Sequence, residues 1–406
     1  MTRIELLDEG DWKRLARPEL PPAAGRAFAI CMTKLAEALA ALDPSLLARL
    51  RAHGFDPARL GAWAATVGVG RDERNRLPGE VEAPRAGDVV DAPVPGTPDH
   101  ARLHAVGAAA LARGELALCV LAGGMATRMG SVVKALVEAL PGRRFLDLRL
   151  AENAHLAALA GRPVPLWLMT SEATDGPILD ALAAHPHGAA AATFQQHESL
   201  RLTPEGALFL DDHGAPSIHA TGHGDLPDAL RASGLLSRFV AGGGKYVWIA
   251  NLDNLGATVD PAILGWHVEH GGALSVEVVD KLGSDRGGVP VRWNGKPIIA
   301  EEFRLPIAFD PAAVRVFNTN TFLASAPAIE GLDLAWTYVE VEKTIGGRKA
   351  VQFERLVGEL TAALEPRFVR VPREGDRSRF LPVKDVPELE RRRDEIEAVA
   401  KARGML

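Results

Sequence analysis

The sequence predicts an α/β protein whose core is a mixed, mostly parallel β-sheet. Short apolar runs at 116–121, 164–169, 246–250 and 274–279 have the length of buried strands. Helical patterns at 149–160, 176–184 and 261–270 lie among them and supply the crossovers that parallel neighbours require. The proportions suit a packed interior: 406 residues, 47% hydrophobic and 24% charged, enough for two or three domains at ~150 residues each.

Taken in order, residues 1–114 read as a helical region ending in a Pro-rich linker. Asp43-Pro44 and Asp56-Pro57 each set an N-cap before a first-turn proline, and Gly54 and Gly68 follow the two helix ends. Five prolines interleaved with acids and glycines over 78–98 predict a linker, after which a helix resumes at 99–113 and stops at Gly114. The strand and helix alternation then defines a core over 115–366. Its later runs are hairpin-like, with an Asn294-Gly295 turn predicting antiparallel strands. The segment 367–406 is short and ends in a charged helix from Val386, with Leu389, Ile396 and Ala400 on one face.

Charge and composition exclude several classes. A net charge of −6 argues against broad binding to nucleic acid or anionic membrane. Two cysteines, Cys31 and Cys119, exclude a disulfide scaffold and a cysteine-based metal site. The N-terminus is too acidic for a secretory signal, and the longest apolar stretch is about half a membrane span, so a cytoplasmic location is expected. Only ten of the 46 basic residues are lysines, so a lysine beside glycines or apolar runs is unusual here.

The strongest motif is Leu121-Ala-Gly-Gly-Met-Ala-Thr-Arg-Met-Gly130, directly after a strand. Gly123 and Gly124 let a backbone curl around phosphate, Thr127 adds a hydroxyl, and Arg128 adds a bidentate cation. Lys134 follows within reach of the same phosphates. The spacing is neither G-x-G-x-x-G nor the P-loop pattern, and it also suits a plain βα turn. A second loop, Asn251-Leu-Asp-Asn-Leu-Gly256, ends another strand and places Asp253 to hold Mg²⁺ or to cap a turn. Gln196 ends the Thr193-Phe-Gln-Gln run, where an amide can read a base edge or serve a purely structural role. Thr221-Gly-His-Gly-Asp225 suits close approach by a ligand or a turn capped by Asp225, and Phe317-Asn-Thr-Asn320 suits hydroxyl binding or an Asx turn.

These stretches occur in the order, and largely with the wording, of the UDP-sugar pyrophosphorylase family. The chain resembles its eukaryotic-type UTP–glucose-1-phosphate uridylyltransferases over about 115–385. The resemblance also rests on Phe145-Leu-Asp-Leu148, Gln352-Phe-Glu354 and Ser378-Arg-Phe-Leu-Pro-Val-Lys384. It implies a Rossmann-like nucleotidyltransferase core that converts UTP and glucose 1-phosphate to UDP-glucose and pyrophosphate with Mg²⁺. By the same resemblance, Ala122, Gly123, Gly124 and Thr127 would wrap the nucleotide, and Gln196 and Gly222 would recognise uracil. Arg128, Lys134, Lys343 and Lys384 would neutralise the reacting phosphates, and Asp253 would hold the metal. His223, Asn320 and Glu301 would meet the sugar.

Departures from the family pattern carry their own expectations. Ala126 replaces a usual glycine and would be strained at positive φ, and Val132-Val133 replace Gly-Pro ahead of Lys134. About twenty residues follow Lys384, so the expectation is a short C-terminal segment lacking the family's β-helix, in a monomer or a dimer not built on one. N-acetylglucosamine 1-phosphate or another sugar phosphate is the alternative substrate, and a non-catalytic nucleotide-sugar sensor is the alternative class. A dehydrogenase would need the missing G-x-G-x-x-G turn.

Overall fold

The computed structural model describes residues 33–126, 129–130 and 132–406. The chain divides into two compact units, each assembled from separated stretches. The smaller holds the described residues 33–76 with Gln196–Asp225 and Thr337–Leu356, and the larger holds Leu77–Gln195, Leu226–Trp336 and Val357–Leu406. This differs from the contiguous segments expected at 1–114, 115–366 and 367–406. Shared apolar cores, not chain order, set the units.

In the smaller unit, α1 (Pro44–Ala52) and α2 (Pro57–Ala64) begin as expected, with Asp43 and Asp56 accepting from the first free amides. Their Leu47, Leu50, Leu60 and Ala64 pack with Leu200, Leu202, Val351 and Phe353. Trp63 stacks on Phe353 with ring centroids 4.7 Å apart. The strand side consists of two antiparallel pairs, Glu198–Leu200 with Ile218–Ala220 and Val339–Ile345 with Arg348–Glu354.

The larger unit is built on one eight-stranded sheet. Its strands in chain order are β1 (Val89–Asp91), β2 (Leu116–Leu121), β3 (Leu166–Thr170), β4 (Ala191–Gln195), β5 (Tyr246–Asn251), β6 (Leu274–Asp280), β7 (Val316–Ser325) and β8 (Pro366–Arg370). They lie in the order β1-β8-β6-β7-β5-β2-β3-β4, and only β7 runs antiparallel to its neighbours. The chain leaves β2, crosses through α4 (Phe145–Ala160) to β3, and crosses again through α5 (Glu172–Ala184) to β4. β5 flanks β2 on the other side, so the strand order reverses between them. The expected hairpin is present as Gly288–Trp293 against Lys296–Glu301, with Asn294 and Gly295 in left-handed conformations at its turn.

The stretch 78–98 is not a bare linker. Within it Val81–Glu82 pairs with the hairpin and β1 adds an edge to the main sheet beside β8. Strands of two and three residues among prolines carry too little pattern to be read in advance. The last helix, α7 (Val386–Ala402), buries Leu389, Ile396, Val399 and Ala400.

Helices α3 (Pro98–Ala112) and α6 (Pro261–His270) cross at glycines. A Cβ on Gly107 would lie 1.9 Å from Pro261 O, and one on Gly265 1.8 Å from Leu103 O. Neither contact can be relieved by a side-chain rotation. Gly265→Val is therefore expected to destabilise the fold by about 3 kcal/mol or more, read as a lower urea midpoint. An unchanged midpoint would mean that the crossing is looser than this.

Candidate active site

Two loops leave the ends of β2 and β5 side by side. Leu121 and Asn251 are register partners, Leu252 N–H donates to Leu121 O at 3.2 Å, and Ala122 N–H donates to Met169 O at 2.8 Å. In open α/β sheets a crevice forms at such a reversal, outside the carboxyl ends of the strands, and ligands collect there.

The first loop folds back on itself. Met125–Ala126 pairs antiparallel with Val132–Val133, Lys134 N–H donates to Gly124 O at 3.2 Å, and Ser171 Oγ donates to Gly123 O at 3.0 Å. Ala126 is thus extended and outside the left-handed residues, so the strain expected of it does not arise. Val132-Val133 form the returning strand that delivers Lys134 to the loop base. Thr127 and Arg128 lie outside the described residues.

In the second loop Asp253 Oδ2 accepts from Lys134 Nζ at 2.8 Å and from Val383 N–H at 3.2 Å. The two side chains are only 20% and 14% exposed, so water screens the pair far less than it screens surface ions. Among the described residues no cluster of three or more acidic, imidazole or thiol groups gathers. The other oxygen of Asp253 accepts no hydrogen bond among the described residues, and a carboxylate oxygen is the kind of donor a hard divalent cation takes.

Residues not foreseen from sequence hold this loop. Arg149, fully buried on α4, donates to Asn251 O at 2.8 Å, Leu252 O at 3.2 Å and Asn254 O at 2.6 Å, and pairs with Glu152 at 2.6 Å. Glu152 also accepts from Val259 N–H at 3.2 Å. Asn254 ties the loop to the C-terminal motif, accepting from Leu381 N–H at 2.8 Å and donating to Arg379 O at 3.1 Å. Gly256 is needed for that contact, since a Cβ there would meet Ser378 O at 2.7 Å. Lys384 is exposed, next in sequence to Val383, and its own N–H donates to Glu388 at 2.7 Å. An arginine inside Phe-Leu-Asp-Leu-Arg-Leu and a glutamate inside the Leu-Ser-Val-Glu-Val-Val strand were the available signals.

Asn320 sits on a bulge where two residues of β7 have no partner between Glu277 and Val278. It is left-handed at φ 58°, and its amide donates to Asn251 Oδ1 at 2.9 Å, at the end of β5. Bulges and left-handed non-glycine residues of this kind concentrate at ligand sites. Arg379 anchors the bulge by pairing with Glu277 at 2.6 Å, while Thr319 Oγ1 donates to Glu277 O at 2.9 Å. Glu301 and Asn318 flank Gly288, whose Cβ would lie 3.1 Å from a polar atom of each.

Burial, with Glu302 adding and Arg304 opposing, raises the Glu301 carboxyl to about 7. Unfolded, it titrates near ~4.3, so between these values the unfolded chain has lost a proton that the folded chain keeps. Its contribution to stability therefore falls as pH rises from about 4.5 to 7 and is level above. Glu301→Gln should melt higher than the parent at about pH 8, with the gain vanishing near pH 4.5. A gain independent of pH would refute this titration.

The smaller unit carries the remaining candidates. Gln196 is buried, and its amide makes no hydrogen bond to the described residues, whereas Gln195 donates to Asp175 at 2.8 Å. Gly222 has φ 99°, and a Cβ there would lie 2.6 Å from Arg355 O. Asp225 is more than the cap considered from sequence: it forms a buried pair with Arg355 at 2.6 Å and accepts from His197 N–H and Thr221 Oγ1. Burial lowers the pKa of His223, with Glu354 and Asp225 opposing. Lys343 lies on the Val339–Ile345 strand, 3.4 Å from Glu354. The structure thus groups Gly123, Gly124, Lys134, Asp253 and Asn320 at the ends of β2 and β5. Gln196, Gly222 and His223 form a second group within the smaller unit.

A family model described as UTP–glucose-1-phosphate uridylyltransferase matches residues 97–393. The UTP–glucose-1-phosphate uridylyltransferase of Solanum tuberosum is 31% identical over 291 residues, covering 68% of this chain and 60% of that protein. The Saccharomyces cerevisiae enzyme of the same name is 30% identical over 295 residues, covering 68% and 58%. The chain thus spans about three-fifths of the length of the curated relatives it matches. Among solved structures, a Trypanosoma brucei uridine diphosphate N-acetylglucosamine pyrophosphorylase superposes with TM-score 0.70 at 20% identity, covering 90% of this chain and 84% of that one. A Leishmania major UDP-glucose pyrophosphorylase variant superposes at 0.65 and 23%, covering 89% and 78%. These likenesses establish the shared fold. The family match and the sequence relatives together establish that the chain belongs to the UTP–glucose-1-phosphate uridylyltransferase (UDPGP) family.

Proposed function

We propose that this chain transfers a uridylyl group from UTP to glucose 1-phosphate, giving UDP-glucose and pyrophosphate. Beyond family membership, one observation supports the reading: Lys134 and Asp253 joined at 2.8 Å where β2 and β5 end. A phosphate oxygen of the sugar attacks the α-phosphorus, the bond to the bridging oxygen breaks, and pyrophosphate leaves with the electron pair. The attacking group is already an anion, so the chain need supply only position and counter-charge.

Lys134 and Arg128 neutralise the departing phosphates, and Asp253 keeps the lysine ammonium aimed at the strand ends. Lys343 and Lys384 neutralise the attacking and α-phosphates. Ala122, Gly123, Gly124 and Thr127 offer backbone and hydroxyl donors to the nucleotide, and Gln196 and Gly222 read uracil. His223, Asn320 and Glu301 contact the sugar and its phosphate. Asp253 would hold Mg²⁺, which when bound supplies Lewis-acid neutralisation of phosphate oxygens. A cytoplasmic pool of UTP and sugar phosphate suits this role, and no helix among the described residues is long and apolar enough to cross a membrane.

The test is pyrophosphate release over a panel of nucleoside triphosphates and sugar 1-phosphates. UTP with glucose 1-phosphate should be the best pair, with activity lost in EDTA and restored by Mg²⁺. A preference for N-acetylglucosamine 1-phosphate would overturn the sugar assignment. Tight UDP-glucose binding without pyrophosphate release would replace the enzyme by a sensor.

A further inference from the structure

The segments after β1, β5 and β8 line a cavity of about 410 Å³ with α3, α4 and the end of α7. That volume is in the range of small-molecule sites. One end is cationic. Arg403 donates to Thr258 Oγ1 and forms no ion pair among the described residues. Burial, reinforced by nearby Arg379 and opposed by Asp260, Glu277 and Glu152, lowers its guanidinium to about 10. Arg377 also lines the cavity and is likewise without an acidic partner among the described residues. Of the acids of the wall, Glu152 is paired with Arg149 and accepts from Val259 N–H, while Asp260 caps α6 through Ala262 and Ile263 N–H and keeps its charge.

Arg403 is half-buried and held in no direct ion pair among the described residues, with Asp260, Glu277 and Glu152 opposing its desolvation only from a distance. A bound anion at hydrogen-bond range would offset more of that cost. Part of the lining is apolar. Leu156 and Ile263 are buried in it, and Leu159, also in the lining, is 62% exposed. A ligand that fits both ends carries a compact anion on a small carbon skeleton.

We propose that this cavity is a second ligand site, taking a small organic phosphate with its phosphoryl group on Arg377 and Arg403 and its carbon skeleton over Leu156 and Leu159. The site is coupled to the Asp253 loop, because Thr258 follows that loop, accepts from Arg403, and gives its carbonyl to Arg379 Nη2 at 2.7 Å. This coupling, unlike the binding itself, rests on the reaction proposed above.

Phenyl phosphate, titrated calorimetrically into the full chain, is the probe. Saturable binding is expected, weakened about tenfold or more by Arg377→Ala and by Leu159→Asp, two surface changes that leave the fold intact, and unchanged in Lys134→Ala. Inorganic phosphate should bind more weakly, having no skeleton for the leucines. Absence of saturable binding, equal affinity in all variants, or loss in Lys134→Ala would overturn the site. Equal affinity for inorganic phosphate would overturn the organic ligand. Saturating phenyl phosphate should also alter the rate of pyrophosphate release, and an unchanged rate would remove the coupling. Binding as expected in a protein that forms no pyrophosphate would leave this site standing while the uridylyltransferase reading falls.

Discussion

Asp253→Asn is expected to lower pyrophosphate release by about 10²–10³-fold while melting close to the parent. The amide keeps nearly the same shape and an oxygen for Val383 N–H, but it removes the charge that holds Lys134 and would hold the metal. Lys134→Ala should cost a similar factor, because in the proposed reaction the transition state would gather negative charge near that ammonium. The two losses should not multiply in the double variant, since each residue works through the other. Steady-state rates with Mg²⁺ for the parent, both singles and the double measure this. Near-normal turnover in either single would remove the pair from the chemistry.

Arg149→Met is expected to cost about 3–5 kcal/mol in urea unfolding. The substitution leaves Glu152 charged and buried and takes the donor from three carbonyls of the Asn251–Asn254 loop. A second change, Glu152→Met, should restore part of the stability by removing the stranded charge. Recovery should be incomplete, because Val259 N–H then loses its acceptor. A cost below about 1 kcal/mol for the single variant would mean that the loop is held by other contacts.

Sequence located the local features well. The strand at Leu116–Leu121 and the helix at Pro261–His270 have the bounds expected, since each is a continuous apolar pattern with a clear start and stop. The helix expected from 176 begins instead at Glu172, because Ser171 and Thr174 cap it upstream of Pro177 and the proline falls inside. β1 escaped notice because three residues gain their strand character from β8, far along the chain. The same limit applies to the site. Its loops were readable as glycine-rich or acidic turns after strands, and so were Lys134 and Asp253 as candidates. Their pairing was not, nor were Arg149 and Arg379, since the loop carbonyls that Arg149 holds and the glutamate that Arg379 pairs with lie about a hundred residues away.

The smaller unit has a consequence for biogenesis. Helices α1 and α2 are synthesised long before the Arg348–Glu354 strand whose Val351 and Phe353 share their core. At ~5–20 residues per second, the ribosome needs roughly 15–60 s to bridge that interval. During it Leu47, Leu50 and Leu60 have an incomplete set of partners, so nascent chains halted before residue 348 should be captured by chaperones and cut by protease within these helices.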